Sequence, residues 1–466
     1  VLSLVMPPIS QAIANDAQPV STEKNVMGGG SSSEFTDVDD TTNGDTDNQN
    51  SDDAEGDETG DDSQLEEQPE EEQQNEGTTT SDGEAVAAVA ENEQTKAAAE
   101  GIDNASELKN KLENVAENQS SSFQLMKDLD CNEEIILKSG SNITLDLNGC
   151  KIKYSSNNKS LFNVSNSAEF TITDSNPGVD QIAGSQSLQD QDQNLIADNC
   201  GKTAEMSRYV NDVPSELTYY VTESSVNTTD GTRTNETTYK HEVKITGAIV
   251  ACSSSKVNLI NLEGGTFNLQ GGVLTQKNNC NVDGLIYAHN GSTVNMSGGY
   301  VCGASMGSSG AGAGIRVEGS TLDEGSTLEI SGGVIAGNYA PSGGGVYAKN
   351  STVYMVGGII SGNGTNNYQS GYGAGICAEN SNVTITNGYI TNNRYQFYED
   401  VVPGWTHKGY GCHGGGGIAA FHGGSLTIYG GYITGNYSAE AGGGVYAGAW
   451  SQALSGFTFS GGTIAS

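Results

Sequence analysis

One rule governs this chain from Gly264 to its end, and it is a repeat. An apolar residue at position x and a second at x+2 are followed by Gly or Asn at x+4, Gly at x+5 and an apolar residue at x+7. The rule starts at Phe267, Val294, Leu328, Val353, Val383, Leu426 and Phe457. Position x+5 is Gly every time, and x+4 is Asn only at Asn387. Between these stretches stands a second element with Gly before an apolar residue: GLIYA, GIRV, GVYA, GICA, GIAA and GVYA again. The starts lie 27, 34, 25, 30, 43 and 31 residues apart.

Each apolar stretch is short and alternates with period two, the pattern of a strand with one buried face. A single copy cannot bury that face, so copies must stack. Constant strands with variable spacing place insertions in loops while every strand keeps its register. That favours a solenoid over a propeller, whose blades need four longer antiparallel strands and about 40–50 residues each. The expected fold is all-β: a right-handed parallel β-helix solenoid with three strands per turn. Its glycines turn the chain sharply between strands, where positive φ is needed. Asn338, Asn363, Asn393 and Asn436 recur at x+10 and are expected to form a ladder of amides from rung to rung.

The motifs GGGV (Gly343–Val346 and Gly442–Val445), GAGI (Gly312–Ile315 and Gly373–Ile376) and GGGI (Gly415–Ile418), with the IxGN or ITNN stretches between them, carry a resemblance. The chain resembles right-handed parallel β-helix proteins of the pectate-lyase-like superfamily, and within them surface proteins with polymorphic outer-membrane-type repeats. Gly often replaces the Ala of the family's GGA[IVL] motif, and Ile replaces the Phe of its FxxN motif. The resemblance covers about residues 105–466. It implies an exported, adhesin-like surface role.

The rest of the chain divides by composition. The formal net charge is −38, and residues 1–103 carry 27 acids against Lys24 and Lys96. That balance excludes phosphate backbones and anionic membranes as partners, so no nucleic acid is expected. Residues 1–14 end in Ala12-Ile13-Ala14 after an apolar run and read as the remnant of a secretory signal peptide, predicting export to the extracellular space or cell surface. Residues 15–103 have few apolar side chains to offset chain entropy and read as an acidic, disordered spacer. No run of about 18 apolar residues predicts a membrane span.

The β-helix is expected over 104–466. It opens with an amphipathic capping helix in NASELKNKLENVAEN, with Asn104 as N-cap and Glu107 three residues on. Residues 174–243 break the pattern as an inserted excursion, with a hairpin signal at Asp230-Gly231. Eight cysteines show no metal-ligand spacing. Cys131 and Cys150 lie about one turn apart, close enough to bridge, but buried free thiols are the reading adopted.

Chemistry is sparse in the repeats. Glu318, Lys349 and Glu379 align on successive copies and predict a surface charge ladder. No set of carboxylates marks a catalytic centre. The longest interval holds a loop insertion at 394–413 in which Arg394, Tyr395, Phe397, Tyr398, Glu399, Asp400, Trp405, His407 and Tyr410 concentrate. Aromatic faces beside polar groups suit sugar rings, which makes this loop the candidate binding site. Cys412, His413, His407 and His422 match no metal spacing, and no metal or cofactor is expected. The functional expectation is a non-enzymatic, adhesin-like surface protein displaying loops to host or environmental glycans or proteins. A polysaccharide lyase or glycoside hydrolase, and a purely structural stalk, are the alternatives.

Overall fold

The computed structural model describes residues 99–465, except 157, 190–201, 203, 212, 227–232, 254–256, 279, 281, 307–309, 366–370, 396–413, 439–440 and 449–453. The chain winds as a parallel β-helix solenoid. It visits three parallel sheets in turn, with eleven strands in the first, ten in the second and nine in the third.

The repeat sets the register residue by residue. In the first sheet Phe267, Val294, Leu328, Val353, Val383, Leu426 and Phe457 are successive partners. The second sheet aligns Leu274, Val301, Ile335, Ile360, Ile390, Ile433 and Ile464 in the same way. The third aligns Ile286, Ile315, Val346, Ile376, Ile418 and Val445. Up to Leu426, Ile433 and Ile418 these columns are buried and form one continuous core. Near its start the rings of Phe162, Phe170 and Phe267 pack tilted against one another, with successive centroids 4.8 and 5.8 Å apart. The last described rung leaves Phe457 and Phe459 about half exposed.

At the other end, the helix Ala105–Glu113 covers the core with Leu108 and Leu112, both fully buried. The Asn104 side chain accepts a hydrogen bond from Glu107 N at 2.9 Å, and Glu107 Oε2 accepts one from Asp103 N at 2.9 Å. Glu100–Ile102, in the last residues of the stretch read as spacer, already form a strand of the first sheet beside Ser120–Leu125. Cys131 and Cys150 are both free thiols, as are Cys252, Cys302 and Cys377.

The corner between the second and third sheets holds the buried amide column. Asn338 Nδ2 donates to Asn363 Oδ1 at 3.0 Å, Asn363 Nδ2 to Asn393 Oδ1 at 2.9 Å, and Asn393 Nδ2 to Asn436 Oδ1 at 3.0 Å. Each Oδ1 also accepts the backbone N–H of the preceding Asn at 2.9–3.0 Å. Beyond this column lies a fourth, four-stranded parallel ribbon of two-residue strands: Tyr339–Ala340, Gly364–Thr365, Arg394–Tyr395 and Tyr437–Ser438.

The excursion within 174–243 folds back onto the coil. Its strands Asp180–Gln189, Glu205–Val210, Val213–Val226 and Arg233–Lys244 form an antiparallel sheet, a flap, in which the last two pair as a hairpin. Leu217, Tyr219, Val221 and Val243 pack on Val250, Val273, Cys302, Val334 and Ala336 of the second sheet. The expectation of one buried and one wet face therefore fails there: all four residues of Ala248–Ala251 are buried. Farther along, Val213–Val226 crosses rungs that lie far from it in sequence. Thr222 N donates to Thr391 Oγ1 at 3.0 Å, and Asn392 Nδ2 to Thr222 Oγ1 at 2.9 Å. Ser361 and Thr434 donate to the Tyr220 and Thr222 carbonyls.

Candidate functional site

With the second sheet covered by the flap, the outward side of the third sheet carries the densest chemistry among the described residues. Its strands alternate, so the first and third residues feed the core while the second and fourth point out. Reading the outward positions along the coil gives Tyr287 and His289, Arg316 and Glu318, Tyr347 and Lys349, Cys377 and Glu379, then Ala419 and Phe421, with Tyr446 beyond.

These side chains engage across rungs. The Arg316 guanidinium lies 4.9 Å from the Tyr287 ring centroid and 2.8 Å from Glu318. The Tyr287 hydroxyl donates to the other Glu318 oxygen at 3.1 Å, and its ring stacks on His289 at 4.7 Å. Burial, and then the Glu318 carboxylate, push the Tyr287 hydroxyl up to about 12. Two rungs on, the pattern repeats around Glu379. Tyr347 donates to it at 2.7 Å, Lys349 reaches it at 2.9 Å, and His422 Nδ1 lies 3.8 Å away. Burial alone would raise the Glu379 carboxyl; the hydrogen bonds from Tyr347 and Lys349 outweigh it and hold the group below the usual carboxylate range. The aligned Glu318, Lys349 and Glu379 do not bond as an even ladder. Lys349 takes Glu379, while Glu318 takes Arg316 from its own strand.

Tyr372 joins the strip from the turn before Ile376–Glu379. Its ring lies 4.7 Å from Phe421 and 6.3 Å from Tyr446, and these cluster with Tyr347 over Cys377 and Ala419. The small Cys377 and Ala419 leave space beside the strip that the rings fill. Cys377 is fully enclosed, and burial pushes its thiol up, so it packs as an apolar group.

Of the sequence-predicted loop residues, Arg394 sits in the corner ribbon, where its guanidinium lies 4.6 Å from the Tyr437 ring. Tyr395 follows it in the same short strand. Phe397, Tyr398, Glu399, Asp400, Trp405, His407 and Tyr410 lie outside the described residues. The anchors of their loop are clear. The chain leaves from Arg394–Tyr395 and re-enters at Gly414, which pairs with both Tyr372 and Ala441. A Cβ at Gly414 would come within 2.9 Å of the Tyr446 ring, so the return point lies against the aromatic cluster.

Tyr287, Tyr347, Tyr372, Phe421 and Tyr446 are absent from the sequence-based site. For Tyr287, Tyr347 and Tyr446 a signal exists: each is the second residue of a third-sheet strand, the outward position. Reading down columns rather than along the chain would have found them. Among the described residues no three His, Cys, Asp or Glu side chains are placed to hold a metal ion. No described helix is long and apolar enough to cross a membrane. In comparisons with family models, curated proteins and solved structures, nothing matches this chain.

Proposed function

We propose that this chain is an exported, adhesin-like surface protein that binds glycans without cleaving them, along the outward strip of its third sheet. The observation that supports this most is the recurrence of aromatic rings beside hydrogen-bonding charges from Tyr287 to Tyr446. Tyr287 and Tyr446, the half-buried rings, offer apolar faces to sugars, Tyr347, Tyr372 and Phe421 are buried and pack the strip, and carboxylates with cations at their edges serve hydroxyls. The tyrosine–carboxylate pair recurs two rungs on, as Tyr287–Glu318 and Tyr347–Glu379, and with rungs about 4.8 Å apart this spacing suits a polymer.

After the segment 396–413 the chain re-enters at Gly414, beside this cluster. Export and surface display rest on the signal-like residues 1–14, the acidic stretch 15–103 as a spacer, and the resemblance to proteins with polymorphic outer-membrane-type repeats. Hydrolysis would need one carboxyl held protonated at working pH. Glu379, the carboxylate with the most partners on the strip, is held the opposite way.

A glycan array with the purified chain tests the reading. Binding to a defined set of glycans should fall when Arg316→Ala is introduced, and again when residues 396–413 are replaced by a short Gly-Ser linker. An array that stays blank, with product release from any polysaccharide on it, would transfer the chain to the lyase or hydrolase class.

A further inference from the structure

A cleft of about 620 Å³ opens where the flap strand Glu205–Val210 meets successive corners of the coil. Ligand clefts span roughly 300–1,000 Å³, so this one has room for a small molecule. It lies around the corner from the third-sheet strip and does not depend on binding there.

The corner glycines build it. Gly303 and Gly337 have φ of 67° and 64°, and their missing side chains let the flap approach. A Cβ at Gly303 would lie 2.8 Å from Met206, and one at Gly337 2.9 Å from the Ala204 carbonyl. Ala204 N donates to Gly362 O at 3.1 Å, which pins the segment leading into the strand. The floor owes its shape to the start of the amide column. In the two rungs before Asn338, the column's position is held by Lys277 and Ala304. Gln276 braces this corner: its Oε1 accepts from Ser305 N at 3.0 Å and its Nε2 donates to Cys280 O at 2.8 Å.

The lining is polar and ringed by aromatics: Tyr209 from the flap, Tyr339 from the corner ribbon, and Lys277, Asn278 and Ser305 from the turns. Tyr209 is 40% exposed, and Asn278 is exposed. The lining holds one cation, Lys277, and one carboxylate, Glu205, so the cleft favours no net ligand charge. We propose that this cleft is a second binding site, for a small neutral carbohydrate of one or two pyranose rings. Tyr209 offers a ring face, while Asn278 and Ser305 offer hydrogen bonds to hydroxyls.

Ligand-observed NMR with glucose, galactose, N-acetylglucosamine, cellobiose, lactose and chitobiose tests this on the full chain. At least one sugar should bind saturably. Tyr209→Ala and Asn278→Ala, both at accessible positions, should each weaken it by about tenfold, equivalent to about 1.4 kcal/mol. Arg316→Ala on the third sheet should leave it unchanged. Absence of saturable binding for every sugar overturns the proposal, as does binding that survives both cleft variants or is lost in Arg316→Ala.

Discussion

At the scale of single residues, the coil depends on groups that satisfy several partners at once. Asn363 is fully buried; its Oδ1 accepts from Asn338 N and Nδ2, and its Nδ2 donates to Ile335 O at 2.9 Å. Removing that side chain strands donors on Asn338 and an acceptor on Ile335, and each buried orphan costs about 1–3 kcal/mol. Asn363→Ala should therefore lower stability by about 3 kcal/mol or more in urea titration. A loss below about 1 kcal/mol would mean that the column is not a coupled network. Glycine has a comparable role at Gly333, where φ is 77° and a Cβ would lie 2.6 Å from Gly298 O. Gly333→Ala should cost more than about 1 kcal/mol, whereas Gly184→Ala, with nothing within 4 Å, should change stability by less than about 0.5 kcal/mol.

Among the elements, the flap is the one whose placement the sequence did not reveal. It is fastened by more than apolar packing. Asp180 accepts from the Tyr219 hydroxyl at 2.7 Å and the Tyr300 hydroxyl at 3.0 Å, and pairs with His241 Nδ1 at 3.0 Å. Tyr300 belongs to the coil and the others to the flap, so one carboxylate joins the two. Burial would raise this carboxyl, but the hydrogen bonds from His241 and Tyr219 prevail and lower it. A carboxyl lowered in the folded state stabilises above its unfolded value of about 3.9 and loses that contribution as pH falls through the folded value. The wild type should thus lose stability on acidification below about pH 4 more steeply than Asp180→Asn. Near neutral pH that variant should be less stable by about 1–3 kcal/mol. Parallel acid titrations followed by circular dichroism check both, and superimposable curves would remove Asp180 from the account.

These elements also show what was legible. Strand positions, register and the amide column follow from a repeat in which every copy makes the same contacts, so local pattern and global fold agree. The flap hairpin was legible as a hairpin, through its alternating strands. Its destination was not, because Val221 and Thr222 meet partners such as Thr391 far along the chain, and no local pattern encodes that separation. The third-sheet tyrosines were hidden differently: inside GVYA an outward Tyr reads as ordinary alternation, and only stacked columns reveal a surface.

For the molecule as a whole, a solenoid is held by nearest-neighbour rungs, so its ends are its weak points. The helix Ala105–Glu113 protects one end through Leu108 and Leu112. Leu112→Ala should cost about 2–5 kcal/mol, with hydrogen exchange rising first in Ser120–Leu125 and Ile135–Leu137. Exchange that rises uniformly along the coil would instead indicate a single cooperative unit. The same one-dimensional build leaves long faces free, and function is proposed where a face is neither packed in the core nor covered by the flap.

The most direct measurement of that claim is a calorimetric titration of the strongest array glycan into wild type, Tyr287→Ala and Tyr354→Ala. Tyr354 is an exposed tyrosine on the first sheet and serves as the control. The account predicts that Tyr287→Ala weakens binding by about tenfold or more while Tyr354→Ala matches wild type. Equal affinity in all three proteins would contradict it.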